Sequence, residues 1–424
     1  MSNMKKIILA GLSIITAFIF SGCVKDTCKR AYHYSWYEPL YKTSDQVRAD
    51  IKSNAPKEIS EPGKMVVIGN YIFLNEINKG IHVINNSNPA APKNVAFITI
   101  PGNIDLAIKG TTLYADLYTD LVALDISNPM NVVKTSIVDG VFPQRYYGGY
   151  VLAGDSGKIV YDWVKHDTTV MEDCAVSNIN IYSAVPGVYD VAAMSSNNRG
   201  NVSTPIGTGG SMARFALIDN YLYTVGESDL SVINISNSTA PVFVNKFQVD
   251  WHVETIYPFD DKLFVGSNNG MYMYNVKSSP EKPTKIGEFT HVRACDPVIA
   301  DDKYAYVTLH SGTTCLGFNN ELDVVKLNSF TNAELVKTYN LTSPLGLSKD
   351  DNLLFICDGT DGLKVFNASN ALNIQMIKHF PGIETFDVIA QNGVAIVVAK
   401  DGLYQYDYSS TNNIHLISKL NIIN

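Results

Sequence analysis

The sequence predicts an all-β protein whose body is a single β-propeller of four-stranded blades. The first observation is a repeat, because segments like LVALDISNP (residues 121–129) return about every 40 residues, which is the spacing of propeller blades. The second is the content of each unit, where four short runs rich in Val, Ile and Tyr alternate with turn residues. The third is composition: 17% charged residues and 24 tyrosines fit a chain made mostly of strands.

The repeat occurs in eight copies, and the fifth residue of each copy is placed at the end of the third strand of its blade. These fifth residues are Asn85, Asp125, Asp162, Asn234, Asn275, Lys326, Asn367 and Asp407. Asp and Asn side chains accept hydrogen bonds from the backbone two residues further on, so we expect them to hold turns. We expect eight blades. Seven blades are the alternative, because the copy at residues 158–166 matches the repeat poorly.

These units resemble the LVIVD repeat, a propeller-type repeat common in bacterial secreted and surface proteins. The resemblance rests on LVALDISNP and on the preceding NIDLAIKGTTLYAD, and it extends over about residues 64–424. The stretches KGIHVINNSNPAAP and HVRACDPVIADDKYAYVTLHSGTTC read like those of uncharacterised LVIVD lipoproteins of the Bacteroidota. The resemblance implies a propeller without implying an activity, since none is established for the group as a class.

Residues 1–22 are predicted to be a lipoprotein signal peptide. Two lysines precede an uncharged run, residues 7–20, which is shorter than the ~20 residues of a membrane span. The following Ser-Gly-Cys resembles a lipobox and implies that Cys23 is lipidated; a plain signal peptide is the alternative. Because Val24 rather than Asp follows, the sorting rule of proteobacteria points to the outer membrane. We expect a lipid-anchored protein of the cell envelope, facing either the periplasm or the exterior.

The chain after the signal peptide divides into a tether and the propeller. Residues 23–63 form the lipid anchor and the tether, in which Ser44 is placed to cap a short helix with Val47 and Ile51 on one face. Residues 64–424 form the propeller. An insertion at about residues 166–212, rich in Ser, Asn and Gly, reads as a surface loop within it.

A candidate ligand-binding rim lies where the innermost strands begin, at the top of the central channel. Alignment of the units places Lys64, Asp105, Arg145, Arg214, Glu254, Asp296, Gly346 and Asp387 there. The rim candidates proper are Asp105, Arg145, Arg214, Glu254, Asp296 and Asp387. They form either a polar ligand site or a solvated rim of charges that neutralise one another. Loops joining second to third strands share this top face, and their Tyr and Asn side chains suit carbohydrate or peptide.

The six cysteines fit an exported protein. Cys295 and Cys315 lie 20 positions apart within one unit, and we expect them to form a disulfide. The alternative is a metal site that combines these two cysteines with His291 and His310. The pairing of the remaining cysteines is open: Cys28, Cys174 and Cys357.

Charge and motifs narrow the functional classes. The net charge of −8 without a basic block argues against nucleic-acid binding. The chain has no HExxH, no GxSxG and no phosphate-binding GK[ST] motif. We therefore expect a non-enzymatic, monomeric, membrane-anchored protein that binds a carbohydrate, a peptide or an envelope protein through the top face. No catalytic residue, no metal ligand and no cofactor is assigned, and no motif supports Ca²⁺.

Two alternative functions stay open. One is a metal-dependent enzyme of the lactonase or lyase type, with Asp105, Glu254, Asp296 and Asp387 as metal ligands. Lysine and arginine neighbours argue against such a cation site, because they compete with the metal. The other is a scaffold subunit of an outer-membrane assembly.

Overall fold

A computed structural model describes residues 29–142, 144–147, 150–153, 158–173, 194–195, 204–290, 297–311, 319–328 and 330–423. The chain divides into a smaller unit, Met1–Tyr41 with Asp162–Val185, and a larger unit, Lys42–Tyr161 with Pro186–Asn424. The larger unit contains the propeller. No helix within the described part of the chain is long and apolar enough to cross a membrane.

The elements that precede the blades are strand β1 (Lys29–Thr43), helix α1 (Ser44–Ala49) and strand β2 (Lys52–Asn54). The predicted helix is present, with Thr43 as its cap in place of Ser44. The Thr43 hydroxyl accepts a hydrogen bond from the Gln46 backbone N–H at 3.3 Å, and the Gln46 side chain accepts one from the Thr43 N–H at 2.9 Å. This reciprocal pair satisfies two backbone donors at the start of the helix. Val47 is fully buried and anchors α1 in the core shared by blades 1 and 2.

The strands of the blades follow one another in chain order and pair antiparallel with their neighbours. Blades 1 and 2 consist of β3 (Pro62–Ile68), β4 (Tyr71–Glu76), β5 (Gly80–Asn85), β6 (Lys93–Thr99), β7 (Leu106–Lys109), β8 (Thr112–Leu117), β9 (Asp120–Asp125) and β10 (Val133–Val138). The next segment contains β11 (Gln144–Tyr147), β12 (Tyr150–Ala153), β13 (Lys158–Asp173), β14 (Met194–Ser195) and β15 (Thr208–Ser211).

Blades 3 to 5 consist of β16 (Phe215–Ile218), β17 (Tyr221–Val225), β18 (Asp229–Asn234), β19 (Val242–Gln248), β20 (Val253–Phe259), β21 (Lys262–Ser267), β22 (Gly270–Asn275), β23 (Thr284–Thr290), β24 (Val298–Ala300), β25 (Tyr304–Leu309), β26 (Glu321–Asn328) and β27 (Asn332–Asn340). Blades 6 and 7 consist of β28 (Leu347–Asp350), β29 (Leu353–Cys357), β30 (Leu363–Asn367), β31 (Gln375–Phe380), β32 (Thr385–Gln391), β33 (Val394–Ala399), β34 (Gly402–Asp407) and β35 (His415–Asn421).

The described residues form seven blades, so the expectation of eight is wrong and the alternative of seven is correct. The weak copy of the repeat that begins at Lys158 lies in β13, which pairs with β1 in a two-stranded sheet. The reason is that this copy lacks the turn of the others. Asp162 accepts a hydrogen bond from the adjacent Trp163 N–H and closes no turn, so the strand runs on to Asp173.

The ring closes by side-chain packing between complete blades. Ile389 and Ile396 of blade 7 share a buried cluster with Met65 and Leu74 of blade 1. The third residue of the second strand is fully or almost fully buried in every blade and is aromatic in six of the seven. These residues are Phe73, Tyr114, Tyr223, Phe264, Tyr306, Phe355 and Ile396. Part of the aromatic content of the sequence therefore packs within the blades.

The recurrent Asp or Asn at the end of the third strand holds the following turn, as the sequence predicts. In six blades its side chain accepts a hydrogen bond from the backbone N–H two residues further on, at 2.8–3.0 Å. These residues are Asn85, Asp125, Asn234, Asn275, Asn367 and Asp407. All seven blades also have a register shift between their third and fourth strands, which is a β-bulge repeated around the ring.

Candidate functional site

Most of the rim candidates lie where the innermost strands of the blades begin. The described ones at these positions are Lys64, Asp105, Arg214, Glu254, Gly346 and Asp387. Arg145 instead lies in β11, which pairs with β12 in a two-stranded sheet among the described residues. Asp296 lies outside the described residues.

Lys64 and Asp105 form a buried ion pair between blades 1 and 2. The Lys64 Nζ lies 3.4 Å from the Asp105 Oδ2 and donates to the Met212 carbonyl oxygen at 2.8 Å. The same Oδ2 accepts a hydrogen bond from the Arg214 backbone N–H at 2.6 Å. Burial raises the pKa of Asp105 and lowers that of Lys64, and each charge opposes the shift of the other. These two side chains are therefore buried and differ from the solvated rim that the sequence left open.

The loop that carries Asp105 is held by side chains of the repeat motif itself. The Asp116 Oδ1 accepts hydrogen bonds from the backbone N–H groups of Ile104 and Asp105 and from the Asn103 side chain, each at 2.8 Å. Asn75 of blade 1 donates to the Asn103 Oδ1 at 2.6 Å. The motif NIDLAIKGTTLYAD thus places its Asn and final Asp where they fix the start of the innermost strand. Sequence reasoning had quoted this motif without assigning these two side chains a role.

Asp387 is a buried carboxylate with no good hydrogen-bond partner among the described residues. It is fully buried, and neither of its carboxylate oxygens has a partner of good geometry. Gly346 provides the space, because a Cβ at that position would lie 2.2 Å from the Asp387 Oδ1. Burial raises the pKa of Asp387 to about 8, against the opposing effects of the Val388 and Ser211 backbone N–H groups and of the Lys64 ammonium. Asp387 is therefore largely protonated at neutral pH.

The centre of the ring is filled by the chain itself, at residues 205–213. Strand β15 pairs with the innermost strand of blade 1 through Thr208 and Gly209. The Ser211 hydroxyl accepts a hydrogen bond from the Leu347 N–H of blade 6 at 2.8 Å, and the carbonyl of Ala213 accepts one from the Ile256 N–H of blade 4 at 2.7 Å.

One short segment thus bonds innermost strands on three sides of the channel. A cavity that it lines together with blades 1 to 4 measures about 20 Å³, which is room for about one water molecule. We call residues 205–213 the plug. Its residues up to 212 are the end of the insertion read from the sequence as a surface loop, and they are mostly buried. The plug was not foreseen, because its Gly-rich composition signals a loop and the topology alone brings it to the axis.

The remaining candidates do not form a metal site in the part of the chain that is described. Glu254 is half-buried in β20. Within that part, no three His, Cys, Asp or Glu residues are placed to hold a metal ion. The expected disulfide between Cys295 and Cys315 lies outside the described residues, as does Cys23. Cys357 is a free thiol, fully buried in blade 6, and burial raises its pKa well above the ordinary value.

Several acidic residues in the top-face loops have structural roles. Asp358 is fully buried and accepts hydrogen bonds from the backbone N–H groups of Thr342 and Ser343 at 2.7–3.0 Å. Its other partner is the Lys364 ammonium at 2.5 Å. Asp120 accepts a hydrogen bond from Arg48 of α1 at 2.5 Å, which ties the helix to blade 2. The carboxylates of Asp358 and Asp120 therefore bond to groups of the protein itself.

One top-face loop presents its side chains to solvent. It joins β19 to β20, and its Trp251 is 66% exposed, more than any other large hydrophobic residue in the described part of the chain. The neighbouring His252 side chain is also 66% exposed and lies 3.9 Å from a Glu227 carboxylate oxygen. Sequence reasoning missed this loop, although a Trp between two strands and beside charged residues was the available signal.

The backbone of this loop is firmly held on both sides. Val249 and Val253 donate hydrogen bonds to the carbonyls of Ser228 and Glu227, both at 2.9 Å. The Asp250 Oδ2 accepts hydrogen bonds from three side chains of blade 4, Ser267, Asn269 and Tyr272, at 2.5–3.3 Å. His252 adopts a left-handed backbone conformation with φ +53°. We call residues 249–253 the Trp251 loop; it holds an exposed indole on a fixed backbone.

Comparison with known protein families supports the repeat. The LVIVD repeat model matches residues 63–97, 104–139 and 209–249, which cover blades 1, 2 and 3. No curated protein sequence matches the chain.

Among solved structures, the designed protein Ika8 is 9% identical and superposes with a TM-score of 0.49, covering 86% of this chain and 89% of Ika8. PorZ, a surface component of the type-IX secretion system of Porphyromonas gingivalis, is 12% identical with a TM-score of 0.49; the match covers 86% of this chain and 39% of PorZ. Sqt1 of Saccharomyces cerevisiae is 8% identical with a TM-score of 0.48, covering 91% of this chain and 89% of Sqt1. From its own strands and from the repeat model, the chain is a β-propeller that contains LVIVD repeats.

Proposed function

We propose that this protein is a lipid-anchored binding protein of the cell envelope that captures a ligand or partner through the top face of its propeller. The observation that carries the proposal is the Trp251 loop. Exposing an indole to water is unfavourable, and Trp is enriched where proteins bind ligands and partners. Because the backbone is already fixed by hydrogen bonds, little conformational entropy is lost when the indole engages a ligand.

The filled channel supports binding at the surface of the ring. The plug occupies the axis where channel-bound substrates would lie, and Lys64 places an ammonium against Asp105. A cation bound to Asp105 would be repelled by that ammonium. The metal-dependent enzyme is therefore the less supported alternative, and we assign the protein no catalytic role.

The anchoring part of the proposal rests on the N-terminal sequence. A short apolar run that ends in Ser-Gly-Cys23 supports lipidation, and lipidation would hold the protein at a membrane of the cell envelope. A membrane-tethered propeller exposes its loops to ligands close to that surface. A scaffold subunit of an outer-membrane assembly would use the same anchor, with a protein as the bound partner.

Arrays of immobilised glycans and peptides test the binding proposal on the full chain. We expect bound probes to be lost in Trp251→Ala and kept in Trp36→Ala. Trp36 is the matched control, because it is 50% exposed and lies in the smaller unit. The scaffold would be favoured if the arrays bind nothing and one envelope protein is recovered in a stable complex with the unaltered chain but not with Trp251→Ala. Binding that is unchanged by Trp251→Ala, or the lack of any bound glycan, peptide or envelope protein, would refute the proposal.

A further inference from the structure

A concave cleft lies where β2 pairs with the outer strand of blade 1, and none of its lining residues belongs to the plug or the Trp251 loop. Its volume is about 360 Å³, within the range of small-molecule sites. It is lined mainly by four lysines and by the rings of Phe97, Tyr118 and Tyr161; the lysines are Lys42, Lys52, Lys57 and Lys79. We call it the lysine cleft. Its lining residues belong to other loops of the top face than the Trp251 loop, so it does not depend on binding at Trp251.

The charge of the lysine cleft is opposite to that of the protein. The chain carries a net charge of −8, yet four lysines and one acidic residue, Asp50, line the cleft. A concave surface lined by one sign of charge concentrates the field and attracts ligands of the opposite sign. The cleft is therefore suited to an anion.

Two of these lysines are left without a carboxylate partner in the described part of the chain. Lys42 pairs with Asp50 at 2.7 Å, and Lys79 pairs with Glu61 at 2.8 Å. Lys52 and Lys57 form no ion pair with a described residue. The Lys57 ammonium instead lies 3.5 Å from the centre of the Phe97 ring, which places the charge without neutralising it.

Backbone hydrogen bonds and two residues in the left-handed conformation hold the wall of the lysine cleft in place. Asn78 adopts φ +62° and exchanges backbone hydrogen bonds with the loop after β6: its N–H donates to the Asn103 carbonyl at 2.7 Å, and its carbonyl accepts from the Gly102 N–H at 2.8 Å. Tyr118, at φ +55°, packs its ring against Gly102, where any Cβ would lie 2.6 Å from the ring. Residues held in the left-handed region often occur where a structure fixes a binding site.

We propose that the lysine cleft binds a small oxyanion ligand of sugar size, with the anionic group between Lys52 and Lys57. The volume sets the size of the ligand, and the two unpaired ammonium groups set its charge. A carboxylate and a phosphate ester share the chemistry that these ammonium groups recognise. Partial burial lowers the pKa of Lys57, because a charged ammonium is less favourable away from water. A bound anion would stabilise the charged form.

Calorimetric titration of the full chain with three probes tests this proposal: glucuronate, glucose 6-phosphate and neutral glucose. We expect at least one of the two anions to bind and glucose not to bind. We expect Lys57→Ala and Lys52→Ala each to weaken the anion about tenfold or more, which is typical for loss of a charged hydrogen bond. Affinity should also fall between 20 and 150 mM salt, because exposed charges are screened.

The matched control is Lys378→Ala. Lys378 is exposed and lies over the Phe380 ring at 5.3 Å, on the outer strand of blade 6 and outside the cleft. We expect the Lys378→Ala variant to bind the anion with the same affinity as the unaltered protein. Glucuronate-only or phosphate-only binding would support the proposal and identify the anionic group. Binding of neither anion, equal binding of glucose, or equal weakening by Lys378→Ala would overturn it.

Discussion

Replacing Asp387 by Asn should stabilise the protein at pH 8 and have a much smaller effect at pH 5. Asp387 is fully buried, and burial raises its pKa from an ordinary value near 4 to about 8. In the unfolded chain the same carboxyl ionises near pH 4, so between pH 4 and pH 8 the folded state holds a proton that the unfolded state has lost. The Asp387 contribution to stability therefore falls as pH rises through this range.

The magnitude follows from the difference in pKa. One pKa unit corresponds to about 1.4 kcal/mol, so the full change from pH 4 to pH 8 is about 5 kcal/mol. Asn has the shape of the protonated carboxyl and carries no ionisable proton. The stabilisation by Asp387→Asn should thus grow by about 3 to 4 kcal/mol between pH 5 and pH 8. Lys64 and Cys357, which also interact with Asp387, are present in both proteins.

Urea unfolding of both proteins at pH 5, 6.5 and 8 measures this difference. Asp125→Asn is the control, because Asp125 holds a turn at a position where other copies of the repeat have Asn. We expect the control to show no growth of the difference with pH. A stability difference between Asp387→Asn and the unaltered protein that is the same at all three pH values would refute the reasoning, since Asp387 would then ionise near its ordinary pKa.

Three further predictions concern packing, anchoring and the disulfide. Phe264→Ala should lower the free energy of unfolding by about 3 to 5 kcal/mol, because it leaves a cavity between blades. Phe243→Ala, at a 39% exposed position, should cost much less, and an equal loss would argue against the aromatic packing of the blades. Cys23→Ala should abolish labelling by a radioactive fatty acid, whereas persistent labelling would rule out the lipid anchor. Mass spectrometry of non-reduced peptides should show Cys295 joined to Cys315; free thiols at both would contradict the disulfide.

The fold was largely readable from the sequence because each blade is a local unit. The Asp or Asn of each repeat bonds a backbone group only two residues away, so a short motif defines the turn. The blade count was not readable in the same way. The copy at Lys158 has the apolar pattern of a third strand, yet it pairs with β1, more than a hundred residues earlier in the chain. Such long-range pairing leaves no local signal.

The rim candidates show the same limit. Alignment of the repeats located Asp105 and Asp387 at the starts of innermost strands, and the structure has them there. Their burial depends on the plug, which comes from an insertion without a repeat pattern of its own. The lysine cleft also escaped sequence reasoning, because Lys57 and Lys79 come together only when the segment before blade 1 folds against it.

Hydrogen–deuterium exchange of the full chain, with and without the probe or partner that the array and recovery experiments identify, tests the central claim most directly. The Trp251 loop and the neighbouring residues 226–229 should exchange more slowly when the probe or partner is bound, because they form the proposed binding surface. The turn at residues 85–92, which joins the third to the fourth strand of blade 1 on the opposite face, should exchange at the same rate with and without the probe or partner. Protection confined to that turn or to the plug would contradict binding through the top face.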